Sequence, residues 1–403
     1  MRAVQSGSDM RVPHGHTQTM EIDDILRAAI KLDASDVLLK TGVPPGLRTQ
    51  GDLVPLPDAP VMTSDMVQSA IDVLMDDYHR RRFATELQAD LAYETAELGR
   101  FRVNVFRQRG NLSVVIRVIP NRIRSVAELN LPAIVEKVAN ERRGLILVTG
   151  TTGSGKSTTL AAMIDYINQT RHSHIITIED PIEYTHSDQL SFINQREVGF
   201  DATSFPAALK AALRQNPDVI LVGEMRDLET IETAILAAET GHLVMSTLHT
   251  LDAPETITRA ISTFPEHQRD QVRLILSSVL KGIISQRLIP RADSEGMVPA
   301  VEVLVSTARI REYIADKDKL RDLRDVIAQG HITYGMQTFD QSLMALLKSG
   351  LITRDEALGN ATNPADFELK LRGISSTSDS RWDDFESRDS SETAKPKVEI
   401  ERF

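Results

Sequence analysis

The stretch Gly150–Thr158 reads GTTGSGKST and decides the fold of the central part of this 403-residue chain. It follows the apolar run Leu145–Thr149 and precedes a helical pattern, which predicts a strand, a glycine-rich turn and a helix in that order. The glycines let backbone N–H groups converge on phosphate oxygens without Cβ clashes, Lys156 adds a positive charge, and Ser157 offers Mg²⁺ a hydroxyl ligand. A phosphate-binding loop at a helix N-terminus is therefore predicted. Its nucleotide-binding residues are Gly150, Thr151, Thr152, Gly153, Ser154, Gly155, Lys156, Ser157 and Thr158.

Composition limits the class of protein to which the chain can belong. Its length indicates two or three domains, and 41% hydrophobic with 26% charged residues is ordinary for globular proteins. A net charge of −11 disfavours a dedicated nucleic-acid binder. The lack of cysteine excludes disulfides and cysteine-ligated zinc. No run approaches the roughly 18 apolar residues of a membrane span, and the start MRAVQSGSDM is polar. We therefore expect a cytoplasmic protein.

The N-terminal part reads as a small α+β domain over residues 20–118, after a disordered leader at 1–19. An amphipathic helix is predicted at Asp23–Lys31, with Ile25, Leu26, Ala29 and Ile30 on one face. A second helix is expected from a cap at Ser64. From Ala89 to Val118 the pattern has period two, which predicts strands. A linker with one helix should occupy residues 119–143.

Residues 144–305 alternate apolar strands with helices, which predicts a parallel sheet in an α/β domain that binds its ligand at the carboxyl ends of strands. Residues 306–374 read as a C-terminal helical region. The tail, 375–403, reads as a disordered acidic segment in which Trp382 and Phe385 are either solvated or a short docking motif. The predicted strands are Leu145–Thr149, His174–Ile178, Val219–Val222 and Leu243–Thr247.

Carboxylates follow two of these strands. In TIEDPIEYTH, Glu179 and Asp180 are predicted to hold Mg²⁺ through water, and Glu183 can orient the attacking water. In PDVILVGEMRD, the strand ends in Gly223 and Glu224. Glu224 is the first candidate for the general base or water-positioning group and Glu183 the second. Arg226 and Asp227 either serve the site or pair with each other.

Histidines bracket the next strand, and arginines alternate along the N-terminal strands. In GHLVMSTLHT, His242 and His249 are candidates to sense the γ-phosphate by hydrogen bonding, or are structural. P-loop hydrolases commonly need an arginine from a neighbouring domain or subunit, and the residues around the predicted phosphate loop include no strong candidate. We therefore expect an arginine finger, a side chain that neutralises transition-state charge, to act in trans across a subunit interface. The arginines considered are Arg100, Arg102, Arg107, Arg109 and Arg117.

Together, GTTGSGKST, TIEDPIEYTH, LVGEMRD and GHLVMSTLHT, in this order and spacing, resemble the secretion-ATPase superfamily, in particular the retraction ATPases of type IV pili, the PilT/PilU group. They are similar to that family's Walker A, Asp box, Walker B and His box. The resemblance continues through RFRVNVF, NQREVG, AALRQNPD, ISQRL and GMQTFDQ, and so covers roughly residues 20–370.

The resemblance implies a PAS-like N-terminal domain joined to a RecA-like ATPase domain, in a ring hexamer with ATP and Mg²⁺ between subunits. The implied function is ATP-driven extraction of pilin at an inner-membrane platform protein, which shortens the pilus. A paralogous ATPase is a further implied partner. Implied roles are Glu224 and Glu183 in catalysis, His242 and His249 in nucleotide sensing, Lys156 and Ser157 on phosphate and Mg²⁺, and Arg100, Arg102 and Arg117 as arginine fingers.

The chain departs from the family's sequence pattern at some positions, and other classes of protein share some of its motifs, so alternatives stay open. From Ala308 the chain reads ARIREYIA where typical retraction motors carry an AIRNLIRE-like stretch, and main motor or accessory motor is undecided. A pilus-assembly or type II secretion ATPase would typically carry a tetracysteine zinc module, which this chain lacks. A hexameric nucleic-acid translocase is disfavoured by the acidic balance. A non-hydrolysing scaffold is disfavoured by Lys156, Glu183 and Glu224.

Overall fold

The computed structural model describes residues 20–49, 51–120 and 122–373, so the predictions for the leader and for the tail with Trp382 and Phe385 lie outside the described residues. The chain divides into two compact units. Within the described residues the first comprises 20–122 with 183–185, and the second comprises 123–182 with 186–373.

The first unit is an antiparallel sheet with helices packed on it. The strand order is β3-β2-β1-β6-β5-β4. Phe101, Val103 and Val105 alternate with polar residues and are fully buried, as the period-two pattern predicts. Its elements are α1 (Ile22–Lys31), β1 (Asp36–Lys40), β2 (Gly46–Thr49), β3 (Asp52–Pro55), α2 (Ser64–Leu74), α3 (Asp77–Glu86), β4 (Gln88–Thr95), β5 (Gly99–Gln108) and β6 (Asn111–Val118).

Two details of the helices in the first unit differ from the sequence prediction. Ser64 is the first helical residue of α2 and not its cap, because the Thr63 hydroxyl accepts the Met66 N–H at 3.2 Å. In α1 the buried face is made by Ile22, Ile25, Leu26 and Ala29, whereas Ile30 is 41% exposed. Ile30 follows the stripe by one residue, or about 100°, and so turns toward solvent.

The second unit contains a mostly parallel sheet in the order β13-β12-β7-β11-β10-β8-β9, with helices on both faces. All four predicted strands are present, and the central three are completely buried because both faces are covered. The strands β9, β12 and β13 extend the sheet beyond that prediction. The elements through the sheet are α4 (Ile134–Ala139), β7 (Gly144–Thr149), α5 (Lys156–Thr170), β8 (His174–Glu179), β9 (Phe192–Glu197), α6 (Phe205–Ala212), β10 (Val219–Val222), α7 (Leu228–Glu239), β11 (Leu243–Leu248), α8 (Ala253–Ser262), α9 (Arg269–Val279), β12 (Leu280–Pro290) and β13 (Met297–Val305).

Short helices follow the last strand, as the pattern after Ser306 predicts. The most regular begins at a capping box in which Thr338 and Gln341 exchange side-chain and backbone hydrogen bonds. None of the helices in the described part of the chain has the length and apolar character needed to cross a bilayer. The elements are α10 (Ala308–Ala315), α11 (Leu323–Gln329), α12 (His331–Tyr334), α13 (Phe339–Lys348), α14 (Arg354–Asn360) and α15 (Pro364–Leu371), with 3₁₀ turns at Glu266–Gln268 and Leu320–Asp322.

Candidate nucleotide site

The loop between β7 and α5 has the backbone that the glycines permit. Gly150, Gly153 and Gly155 have φ of +142°, +80° and +88°, a region that residues with a Cβ rarely adopt. Gly155 is the N-cap of α5, a 15-residue helix without an acidic residue in its first turn. The free N–H groups and positive dipole end of this helix therefore face the loop, which is an arrangement suited to phosphate.

Lys156 is the first residue of α5 and is only 8% exposed. Its Nζ donates to the carbonyl oxygens of Gly150 at 3.0 Å and Thr151 at 2.8 Å. The ammonium is thus held on the rim of the loop, where it can also meet a phosphate oxygen. Two buried polar atoms close by, Ser154 Oγ and Gln286 Oε1, have no hydrogen-bond partner among the described residues. Gln286, on β12, is a residue that the sequence reasoning missed.

Gly150 is the tightest point of the loop. A Cβ there would lie 2.5 Å from the carbonyl oxygen of Gln286 and 2.5 Å from Ser154 Oγ, whereas a Cβ on Gly153 would meet nothing within 4 Å. We therefore expect Gly150→Ala to cost about 2–4 kcal/mol of unfolding free energy and to weaken ATP binding, because strain and overpacking add. Gly153→Ala, with backbone strain alone, is the control and should cost about 1–2 kcal/mol. If thermal melts show that Gly150→Ala and Gly153→Ala lose the same unfolding free energy, this account is wrong.

Glu224 lies two residues beyond the end of β10, directly after Gly223. Hydrogen bonds between strand ends fix this segment: the Gly223 N–H donates to Ile178 at 2.7 Å and the Met225 N–H to Thr247 at 3.2 Å. The Glu224 carboxylate is 2.8 Å from an Arg226 guanidinium nitrogen and 3.9 Å from His249 Nε2. The carboxylate and the imidazole are therefore neighbours, as expected for groups at adjacent strand ends.

Arg226 pairs with Glu224 and not with Asp227. The Asp227 carboxylate instead caps α7 and accepts the Thr230 N–H at 2.9 Å and the Thr230 hydroxyl at 2.7 Å. The alternative in which Arg226 and Asp227 pair with each other is therefore wrong. Arg226 is an exposed cation beside the candidate catalytic carboxylate.

His249 follows β11, whose last residue pairs with the last residue of β7. Burial, and then the charge of Lys156, lower the pKa of His249, while Glu224 opposes that shift. The imidazole is consequently neutral at pH 7, with one N–H to donate and one nitrogen to accept. Lys156 follows β7 and His249 follows its parallel neighbour β11, so both residues lie at the carboxyl edge of the sheet. Lys156, Glu224 and His249 thus meet at one edge.

His242 precedes β11 and lies at the opposite edge of the sheet from the loop. Its Nδ1 is 2.9 Å from the carbonyl oxygen of Ala237. The six residues Leu243–Leu248 separate it from His249 by about 20 Å of strand. The two histidines therefore do not meet the same phosphate within one protomer, and the role predicted for His242 would need a second subunit.

The residues predicted around Mg²⁺ have different surroundings. Glu179 ends β8, and its Oε1 accepts the Thr177 hydroxyl at 2.7 Å and Gln195 Nε2 at 3.2 Å. Asp180 is exposed, and Ser157 lies in the first turn of α5. Across the described ranges no group of three or more His, Cys, Asp or Glu side chains could hold a metal. This donor set fits Mg²⁺, which binds proteins through few direct ligands, phosphate oxygens and water.

Glu183 and the candidate finger arginines belong to the first unit. Glu183 is exposed. Arg100 pairs with Glu94 at 3.0 Å, and Arg117 donates to Asp36 at 3.0 Å. Arg102 is exposed and stands opposite Arg117 in the β5–β6 register. Of the other two arginines, Arg107 stacks over Phe83 and Arg109 occupies the turn after β5 with φ of +50°.

Comparison with known proteins shows similarity over most of the chain. The family model described as "Type II/IV secretion system protein" matches residues 16–329. "Type IV pilus retractation ATPase PilT" of Pseudomonas aeruginosa is 44% identical over 348 residues, which are 86% of this chain and all of that protein. "Type IV pilus ATPase PilU" of the same organism is 40% identical over 353 residues, 88% of this chain and 92% of that protein.

Solved structures show the same similarity. A crystal structure of the pilus retraction motor PilT with bound ADP superposes with a TM-score of 0.81 at 46% identity, and covers 87% of this chain and 99% of that one. The Legionella pneumophila ATPase DotB gives a TM-score of 0.70 at 26% identity, with 87% and 95% covered.

The fold and the site define a P-loop protein of the mixed α/β class, with its nucleotide loop at the carboxyl edge of a mostly parallel sheet. With the similarity just described, the chain belongs to the type II/IV secretion system family, within its PilT/PilU group of pilus retraction ATPases. It is accordingly an ATPase.

Proposed function

We propose that this chain converts ATP hydrolysis into the mechanical work of type IV pilus retraction. The observation that carries the proposal is the placement of Lys156, Glu224 and His249 after the neighbouring parallel strands β7, β10 and β11, with Glu224 and His249 3.9 Å apart. A binding loop alone would serve kinases, transporters and GTPases equally. A carboxylate and a neutral imidazole beside it add the groups that a hydrolase needs to orient water and to detect the γ-phosphate.

Each of these groups has a separate task in the proposal. Lys156 and the loop N–H groups hold the β- and γ-phosphates. Glu224 accepts a proton from the attacking water or orients that water. His249, neutral at pH 7, donates its N–H to the γ-phosphate. Arg226, whose guanidinium nitrogen is 2.8 Å from the Glu224 carboxylate, pairs with that carboxylate and orients it.

Mg²⁺ completes the nucleotide site. Ser157 would hold it directly, and Glu179 and Asp180 would hold it through water. The ion supplies charge neutralisation on the phosphate oxygens. Glu179 is already fixed by Thr177 and Gln195, so its carboxylate is oriented without the metal.

The finer architecture is part of the proposal. We propose a PAS-like first unit, a RecA-like second unit and a ring hexamer with ATP between subunits. Arg100, Arg102 and Arg117 then serve as finger candidates in trans, with Glu183 as an additional catalytic carboxylate. The domain limits at 20–118, 119–143, 144–305 and 306–374 also remain proposals. His242 joins the nucleotide only if a neighbouring subunit supplies it.

We further propose that the protein acts at the inner face of the cytoplasmic membrane. Its partners would be the pilus platform protein and a paralogous retraction or assembly ATPase, with no direct contact to nucleic acid. The relatives PilT and PilU, at 44% and 40% identity, support both a main-motor and an accessory-motor assignment.

Deletion of the gene tests the function. If the chain drives retraction, the deletion strain should keep or gain surface pili and lose twitching motility, because extended fibres are no longer shortened. Pilus counts by electron microscopy and colony spreading measure the two effects, and complementation with the wild-type gene is the control. A strain without pili would instead indicate an assembly ATPase.

A further inference from the structure

Glu302 is a buried carboxylate that none of the proposed catalytic steps uses. It lies on β13 and is 3% exposed. Across the sheet, Glu302 stands opposite Ser285 on β12, and Ser285 stands opposite Thr149, the last residue before the phosphate-binding loop. The Thr149 hydroxyl donates to Ser285 Oγ at 2.9 Å. Glu302 therefore shares a row of side chains with the base of the loop.

The partner of Glu302 lies at the end of the His249 loop, residues 249–252, which joins β11 to α8. Glu302 Oε1 accepts the N–H of Ala253, the first residue of α8, at 2.8 Å. Asp252, the N-cap of that helix, accepts the Glu255 N–H at 2.9 Å and also pairs with Arg324 on α11. Only the segment Thr250–Asp252 separates His249 from this anchor. The loop is thus held by β13 on one side and by α11 on the other.

Charges of both signs surround Glu302. Burial, and to a smaller extent the charge of Asp252, raise the pKa of Glu302, the Ala253 N–H, Arg324 and Arg287 oppose the increase, and the resulting pKa is about 7. Asp340 on α13 acts in turn on Arg324. A buried carboxylate with one backbone partner is costly to keep, because an apolar side chain would fill the same place without desolvation. A role in fixing the position of the His249 loop accounts for keeping the carboxylate despite this cost.

We propose that Glu302 is a positioning residue for ATP hydrolysis, which fixes the His249 loop through the Ala253 N–H. The Asp252–Arg324 ion pair ties the same loop to α11. Movement of His249 toward or away from the γ-phosphate is thereby coupled to the helices that follow β13. This inference rests on the proposed role of His249, and Glu302 itself touches no substrate.

The test is a double-mutant cycle between Glu302 and His249, read as kcat and KM for ATP. Glu302→Ala should lower kcat about tenfold with a smaller change in KM, because the loop loses its anchor while the phosphate-binding loop keeps its own contacts. In a His249→Ala background the same substitution should lower kcat less than twofold. Glu302→Gln, which keeps an accepting oxygen, should restore most of the activity.

Ser342→Ala is the matched control. The buried Ser342 Oγ accepts the N–H of Val301, the residue before Glu302, at 3.0 Å, and among the described residues it makes no hydrogen bond to the His249 loop. It should lower the melting temperature and leave kcat unchanged. If Glu302→Ala is poorly folded, Asp252→Asn replaces it in the cycle, since asparagine still caps α8 but loses the charge that binds Arg324.

The outcomes separate this inference from the proposed function. Equal losses of kcat from Glu302→Ala with and without His249 would show independent effects and overturn the positioning role. A Glu302→Ala protein with a lowered melting temperature but an unchanged kcat would also overturn the positioning role. If His249→Ala alone leaves kcat unchanged in an active ATPase, the role of His249 is wrong and the positioning role is lost with it, while the ATPase assignment stands.

Discussion

Replacing Lys156 with alanine is expected to reduce ATP turnover at least about 100-fold. The ammonium is 8% exposed and donates to two carbonyl oxygens of the loop, so the substitution removes both a phosphate ligand and a clamp on the loop. A charged hydrogen bond to phosphate is worth about 1.5–3 kcal/mol, and each 1.4 kcal/mol is a factor of ten. Loss of the loop geometry adds to that. Phosphate release at saturating ATP, together with binding of a fluorescent ATP analogue, measures the effect.

Lys137→Ala provides the matched control for Lys156. Lys137 is an exposed lysine on α4 in the same unit, so its loss removes the same charge without touching the loop. Its turnover should stay within about twofold of the wild type, as surface substitutions are usually nearly neutral. A Lys156→Ala protein with wild-type turnover would refute the nucleotide site itself.

The sequence predicts the position of the binding groups well, because parallel topology allows little freedom. Once the strands before Gly150 and Glu224 and the strand before His249 are recognised, their carboxyl ends must share one edge of the sheet. The same rule places His242, which precedes its strand, at the other edge. His242 and His249, predicted at either end of one strand, therefore lie at opposite edges of the sheet.

The strands that the sequence analysis missed lack a boundary signal. β12 follows α9 directly, with Val279 and Leu280 adjacent and no glycine or proline between them. β9 is an edge strand with the polar sequence FINQRE, so it has no buried apolar run to recognise. Gln286 was missed for the first reason, since it lies on β12.

Side-chain partners were the least predictable part of the site. Arg226 and Asp227 are adjacent in sequence and opposite in charge, yet helix capping takes the aspartate and leaves the arginine to Glu224. Buried Glu302 gave no signal either, because MVPAVEVLV reads as an apolar strand with one acid. What these residues contact depends on tertiary packing, which a local pattern does not contain.

Replacing Glu224 with glutamine should separate binding from chemistry. The amide keeps the shape of the side chain, while the proton acceptor is lost and the charge beside Arg226 is removed. We expect ATP affinity within about threefold of the wild type and turnover lower by roughly 10²–10⁴, the usual contribution of a positioned general base. ATP binding by equilibrium titration and single-turnover hydrolysis measure the two quantities independently.

Glu232→Gln is the control, because Glu232 is an exposed glutamate on α7, one helix turn beyond the capped end. It should leave both binding and turnover unchanged. If Glu224→Gln weakens ATP binding as much as it slows hydrolysis, Glu224 acts on the bound ground state or on the fold, and the general base must be sought in Glu183. If Glu224→Gln leaves both turnover and ATP binding unchanged, Glu224 does not activate the attacking water. The arginine that neutralises transition-state charge in trans then contributes more of the rate.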